Sequence, residues 1–211
     1  IAGFFMRPSA SAGVSKSDRP QTPKGPFPYL SREVSYTNPS DKATFAGTLT
    51  YPKGPGPYPA VLLITGSGSQ DRDETVFGHK PFLVIADHLS RRGFAVLRVD
   101  DRGAGKTTGD AKSATVMTHV GDAAAGVAFL KSQKEVKPNQ IGLIGHSEGG
   151  IIAPILASKS SDVAFIVMLA GTGLPGSDIN PLQVGALLAA QPGIGKALVD
   201  EVVAGQDDLM K

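Results

Sequence analysis

Apolar residues in this chain gather into short, nearly continuous runs separated by stretches of helical period. Ala60-Val61-Leu62-Leu63-Ile64 is apolar throughout, the pattern of a strand covered on both faces, and residues 94–99, 140–144 and 163–170 read as strands of the same kind. Between them, residues 81–92 place Phe82, Leu83, Ile85, Ala86 and Leu89 on one side of an amphipathic helix. Residues 118–132 are alanine-rich and helical, and 148–158 form a further apolar helix. Ahead of these, residues 33–37 and 44–51 alternate and are joined by Asn38-Pro39-Ser40-Asp41, which predicts an antiparallel hairpin. Strands alternating with helices at this spacing predict an α/β fold: a mostly parallel sheet with helices on both faces.

The two ends read differently. Residues 1–28 are dominated by Ser, Pro, Lys and Gly, and Arg19-Pro20-Gln21-Thr22-Pro23-Lys24-Gly25-Pro26 holds too many prolines for a helix or an inner strand. They read as a linker or tail from an upstream module, with the core over 29–170. In the remaining segment, 171–211, Asn180-Pro181 reads as a helix start and Pro192-Gly193 as a stop. Leu182, Val184, Leu187 and Leu188 make one helix apolar, and Ile194, Leu198, Val202 and Val203 a second. These helices suit either a lid over a pocket or two ordinary core helices.

Composition narrows the chemistry. A chain of 211 residues is long enough for one domain burying roughly 70% of its unfolded surface. A net charge of +2 is too small to imply nucleic acid or an acidic membrane as partner, and no apolar run reaches the roughly 18 residues of a membrane span. With no cysteine, disulfides, thiolate metal sites and a cysteine nucleophile are excluded, while the compartment stays open.

In such sheets the chemistry sits at the carboxyl ends of the strands. Three loops meet there. One is Thr65-Gly66-Ser67-Gly68-Ser69-Gln70-Asp71-Arg72-Asp73-Glu74; the second is Asp100-Asp101-Arg102-Gly103-Ala104-Gly105-Lys106-Thr107; the third is Gly145-His146-Ser147-Glu148-Gly149-Gly150. The third is a G-x-S-x-G between an apolar strand and an apolar helix, so the serine stands at the apex of a sharp turn. There its hydroxyl is lifted clear of the sheet at a helix N-terminus, with the N–H of Glu148 free to bind a developing oxyanion. The bland alternative is a serine that only caps the helix. Gly105-Lys106-Thr107 does not make a phosphate loop, because Asp100 stands where the first glycine is needed. Asp71, Asp73, Glu74, Asp100 and Asp101 have Arg72 and Arg102 among them, so they read as ion pairs bracing the glycine loop and not as a metal cluster.

Taken together, the three motifs resemble the α/β-hydrolase superfamily from about residue 33 onward. Their wording is similar to that of bacterial carboxylesterases related to dienelactone hydrolases, which often carry a small extra domain ahead of the catalytic one. The resemblance implies that Ser147 is the nucleophile, with the N–H groups of Ser67 and Glu148 as oxyanion hole. It implies a supporting role for Gly66, Gly68, Arg72, Asp100, Arg102, Gly145, His146 and Gly149, a small-molecule ester or other acyl substrate, and no cofactor or metal.

It also implies a carboxylate and a histidine after the nucleophile. The histidines are His79, His88, His119 and His146, none of them later than Ser147. His79 lies nearest the active-site edge. The acids after Ser147 (Asp162, Asp178, Asp200, Glu201, Asp207 and Asp208) sit at no recognisable strand end. Strand 163–170 carries no charge, proline or bulge to protect it as an edge. The expectation is a sheet lacking its last two strands, completed by missing C-terminal chain or another polypeptide, so that these 211 residues alone do not hydrolyse p-nitrophenyl esters. Two alternatives stay open: a serine peptidase or acyltransferase on the same scaffold, and a non-catalytic binding module.

Overall fold

The computed structural model describes residues 19–209. The elements run β1 (Tyr29–Thr37), β2 (Thr44–Pro52), β3 (Tyr58–Ile64), α1 (Pro81–Arg91), β4 (Ala95–Val99), α2 (Val116–Lys131), β5 (Val136–His146), α3 (Gly149–Lys159), β6 (Phe165–Leu169), α4 (Gly176–Ala189) and α5 (Lys196–Leu209). They build one six-stranded sheet in the order β1-β2-β4-β3-β5-β6. β2 runs antiparallel to β1 and β4, and the other pairings are parallel. From β3 the chain crosses to β4 on one side and then to β5 on the other. This reversal opens a crevice at the strand ends, where the three unusual loops meet.

Side chains on β3 alternate between two cores, as a period of two requires. Leu62 and Ile64 join Leu97, Leu130, Leu143 and Ile152 under α2 and α3. Val61 and Leu63 join Phe82, Ala86, Val96 and Ile144 under α1. Each such side chain contributes about 1.5–3 kcal/mol of hydrophobic stabilisation. α2 approaches the sheet closely because a Cβ on Gly126 would lie 3.0 Å from Leu62 and from the Tyr36 hydroxyl. Its start is fixed by a capping box between Thr115 and Thr118, two residues earlier than apolar periodicity indicates.

The start of α4 also needs correction. The helix begins at Gly176, and Pro181 lies inside it instead of opening it. The physical reason is Pro175: its extended conformation lets its carbonyl accept from the amides of Asp178 and Ile179, which nucleates the turn earlier. Pro181 then forgoes one helix hydrogen bond while its ring is buried. α4 and α5 pack on each other, with Gly185 against Val203 and Val199, leaving Leu182, Leu187 and Leu198 largely exposed.

Among the described residues β6 is the edge of the sheet, and Phe165, Val167 and Met168 are each about 40% exposed. Most of the tail predicted over 1–28 lies outside the described residues. Of its remainder, Arg19 donates to the Phe77 carbonyl, Gln21 bonds His79, and Phe27 stacks on Tyr29. No helix among the described residues is long and apolar enough to cross a membrane.

Candidate active site

Ser147 occupies the left-handed region at φ 52°, a conformation costing a non-glycine residue about 1–2 kcal/mol. Its surroundings hold it there. The Ser147 N–H donates to the Leu169 carbonyl at the end of β6 (2.9 Å), and the Gly150 N–H donates to the Ser147 carbonyl (2.9 Å). A Cβ on Gly145 would run into the Gly149 carbonyl, and one on Gly149 into the carbonyl of Ile64. Both glycines therefore permit backbone contact among β5, α3 and β3. The Ser147 hydroxyl is half-buried, and neither it nor the Glu148 N–H has a protein hydrogen-bond partner among the described residues.

The glycine loop stands against this elbow: a Cβ on Gly66 would lie 3.3 Å from the Ser147 Cβ. The Gly66 N–H is already committed, donating to Glu74 Oε1 at 2.8 Å. The same oxygen meets His146 Nδ1 at 2.7 Å. Glu74, buried and itself at φ 52°, thus ties the loop to the residue preceding Ser147. With Gly66 occupied, the N–H groups of Ser67 and Gly68 are left without protein partners among the described residues. Among the described residues Ser67 and Glu148 both present unengaged amides.

The bracing ions sort differently from their sequence grouping. Arg72 does hold Asp100, through Nε (3.0 Å) and Nη2 (2.7 Å), and extends to Glu33 (2.6 Å) and Thr48 (2.7 Å). Burial alone would raise the Asp100 carboxyl, but the Arg72 guanidinium and main-chain N–H hold it below the usual carboxylate range. Asp73 pairs with Arg98 and Lys80. Asp71 closes its own turn by accepting from the amides of Asp73 and Thr75. Among the described residues Glu74 and Asp101 pair with no arginine.

Arg102 does not brace the glycine loop by ion pairing. Its guanidinium turns to Asp122 on α2 and to Asp41 in the hairpin turn, because β4 delivers it to the α2 side of the sheet. Its carbonyl accepts from the Ser69 hydroxyl (2.7 Å) and is its tie to that loop. Asn38 donates to Asp122 (2.8 Å), so β1, β4 and α2 share one buried polar knot. Burial would raise the Asp122 carboxyl, but His119, Arg102 and Asn38 hold it below the usual range. Asp122, 3.8 Å away, in turn raises the His119 imidazole.

Beneath the loop lies a cavity of about 60 Å³ lined among others by Thr65, Gly66, Asp101, His119, Glu148 and Ile152. Asp101 Oδ1 and Oδ2 each accept from Thr65 Oγ1 at 2.8 Å, and Oδ2 also accepts from the Gln70 N–H at 2.9 Å. Burial is the first cause pushing this carboxyl up to about 6. Glu74 and Asp101 read from sequence as members of ion pairs with Arg72 and Arg102, which they do not form, and Asp122 was not singled out at all. Their partners lie 72, 31 and 84 residues away, so only the strand order brings them together.

The remaining histidines are engaged away from Ser147. His79 is half-buried and bonds Gln21, His88 bonds Arg92, and His119 faces Asp122. Of the later acids, Asp162 pairs with Lys131, Asp178 accepts from Ser177, and Asp200 pairs with Lys196. Among the described residues, the carboxylate–imidazole pair beside Ser147 is Glu74–His146.

The sheet order, the left-handed serine elbow and the facing glycine loop define an α/β hydrolase of the serine-hydrolase type. Residues 80–201 match the family model described as serine aminopeptidase, S33, and the chain belongs to that family. Over 130 residues it is 39% identical to Esterase EstD of Thermotoga maritima, covering 61% of this chain and 31% of EstD. The matched region spans about a third of the length of the curated relatives. In three dimensions it superposes on the Pyrococcus furiosus esterase PF2001 with a TM-score of 0.62 at 21% identity, covering 85% of this chain and 63% of that one. The α/β hydrolase GrgF from Penicillium sp. sh18 gives 0.59 at 21% identity, with coverage of 85% and 67%. These two likenesses concern the fold.

Proposed function

We propose that this protein is a serine esterase that cleaves small carboxylic esters through an acyl-enzyme on Ser147. The observation carrying this reading is the juxtaposition of a left-handed Ser147, its hydroxyl unpartnered, with the open amides of Ser67 and Glu148. In the reaction, Ser147 Oγ attacks the ester carbonyl while its proton passes to a general base. The carbonyl oxygen takes up the electron pair as an oxyanion and is held by those two N–H groups. Collapse expels the alcohol, protonated by the same base, and water then repeats the sequence on the acyl-enzyme to release the acid.

The engagement of all four histidines elsewhere favours a base, with its carboxylate, supplied from outside the described residues. The exposed apolar flank of β6 suits the polypeptide that would bring it, either further chain or a partner. Glu74–His146 serves the elbow itself, since the ring nitrogen facing the loop is taken by the carboxylate.

The resemblance to Esterase EstD favours an ester over a peptide, whereas the description of the matched family favours aminopeptidase chemistry. The full-length protein should hydrolyse p-nitrophenyl acetate or butyrate faster than aminoacyl p-nitroanilides. Ser147→Ala should lower kcat by about 10⁴-fold or more. Preference for the anilides would replace esterase with peptidase, and unchanged turnover in Ser147→Ala would remove the proposed nucleophile.

A further inference from the structure

We propose that Asp101 is a positioning residue for the oxyanion loop, holding both ends of the segment that presents the Ser67 amide. This deepens the esterase reading and rests on it.

The loop is short and lies outside any helix or strand. Thr65 follows β3 directly, Gln70 lies five residues on, and between them Gly66, Ser67, Gly68 and Ser69 include one left-handed glycine, Gly68 at φ 90°. Left free, such a segment samples many conformations, and an amide displaced by an ångström no longer meets a transition-state oxygen. Asp101 closes the loop on itself. Its carboxylate receives the Thr65 hydroxyl at one end and the Gln70 N–H at the other, while its own N–H donates to the Gln70 carbonyl at 3.0 Å. Two further bonds reinforce the clamp: Ser69 Oγ to the Arg102 carbonyl (2.7 Å) and Gln70 Nε2 to the Ser67 carbonyl (3.1 Å). Glu74 fixes Gly66, so Ser67 stands between two anchored points with its N–H open.

The chemistry of the position argues that the carboxylate is not there for stability. It borders the small cavity beneath the loop, where Asp100, Asp122, Glu148, Arg102, His119 and Tyr36 also face. Thr65 and Gln70 are neutral donors, and Glu74 adds a like charge. Of the cations, Arg102 is spent on Asp122 and Asp41, which leaves His119 as the cation acting on Asp101. A carboxyl raised by burial in this way is an expensive hydrogen-bond acceptor. What it supplies is two acceptor oxygens for two donors: Oδ2 takes the Gln70 N–H and both oxygens share the single Thr65 proton, whereas an amide would set an NH2 donor in place of one of them.

The test uses the full-length protein and four variants: Asp101→Asn, Thr65→Val, Thr65→Ser and Ser147→Ala. Asp101→Asn should lower kcat for p-nitrophenyl butyrate by about 10- to 100-fold with KM changed less than about threefold, since the lost interaction belongs to the transition state. Thr65→Val should give a smaller loss in the same sense, and Thr65→Ser, which restores the hydroxyl, should recover most of it. Amide deuterium uptake over residues 65–70 should rise in Asp101→Asn and Thr65→Val but not in Thr65→Ser. Asp101→Asn with kcat within twofold of wild type, or with the loss entirely in KM, overturns the positioning role while leaving the esterase reading intact. A wild-type protein that neither turns over esters nor depends on Ser147 overturns both, whatever the loop's deuterium uptake.

Discussion

On the β3–β4 side of Ser147, polar side chains from several strands, loops and α2 interlock, and most are buried. On the β6 side, apolar side chains stand about 40% exposed along an edge strand, and the following helices pack mainly on each other. Both flanks touch the same serine: the first through Gly66, the second through the Leu169 carbonyl that receives its N–H. The contrast separates two tasks of such a site. Stabilising an oxyanion requires amides that do not move when charge develops, and a dense hydrogen-bonded frame provides that. The β6 flank is finished differently: its apolar surface asks to be covered, and we read that cover as the source of the proton-transferring groups.

The comparison can be broken most severely at the polar knot. Asp122→Ala leaves Arg102 buried with only the half-exposed Asp41 as partner, and should destabilise the protein by about 3–5 kcal/mol in chemical denaturation. A loss under 1 kcal/mol would mean that the frame is not the rigid part.

Next comes pH. The Asp101 carboxyl is raised from 3.8 to about 6, so its contribution favours the folded state below about pH 4 and is lost as pH rises through 6. Asp101→Asn stays neutral throughout. Its stability relative to wild type should therefore improve between pH 4 and pH 7, by roughly 1–3 kcal/mol. A pH-independent difference would show that the carboxyl titrates normally.

The smallest effect belongs to the open flank. Lys196→Ala, which removes an exposed i,i+4 pair with Asp200 on α5, should change stability by under about 0.5 kcal/mol. A change above 1 kcal/mol would move α5 from the loosely supported flank into the frame.

Much of this was legible in the sequence because it is local. Continuous apolar runs gave β3 and β5, the G-x-S-x-G between strand and helix read as a sharp turn, and β6 read as an apolar strand needing cover. What could not be read is partner choice across the fold. Arg102 sits among acids in sequence yet reaches Asp122, because strand β4 fixes its side-chain direction and α2 happens to pass beneath it. Glu74 stands in a run of charges but bonds an amide and an imidazole. The start of α4 was misplaced for a local reason: Asn-Pro is a common opening, and nothing in the residues reveals that Pro175 already supplies the cap.

Everything proposed for this site depends on Ser147 being an activated nucleophile. Treating the full-length protein with a fluorophosphonate and mapping the adduct by mass spectrometry tests it directly. The account predicts a single phosphonylated residue at Ser147, absent from Ser147→Ala. An adduct at another serine, or none in a folded protein, would contradict it.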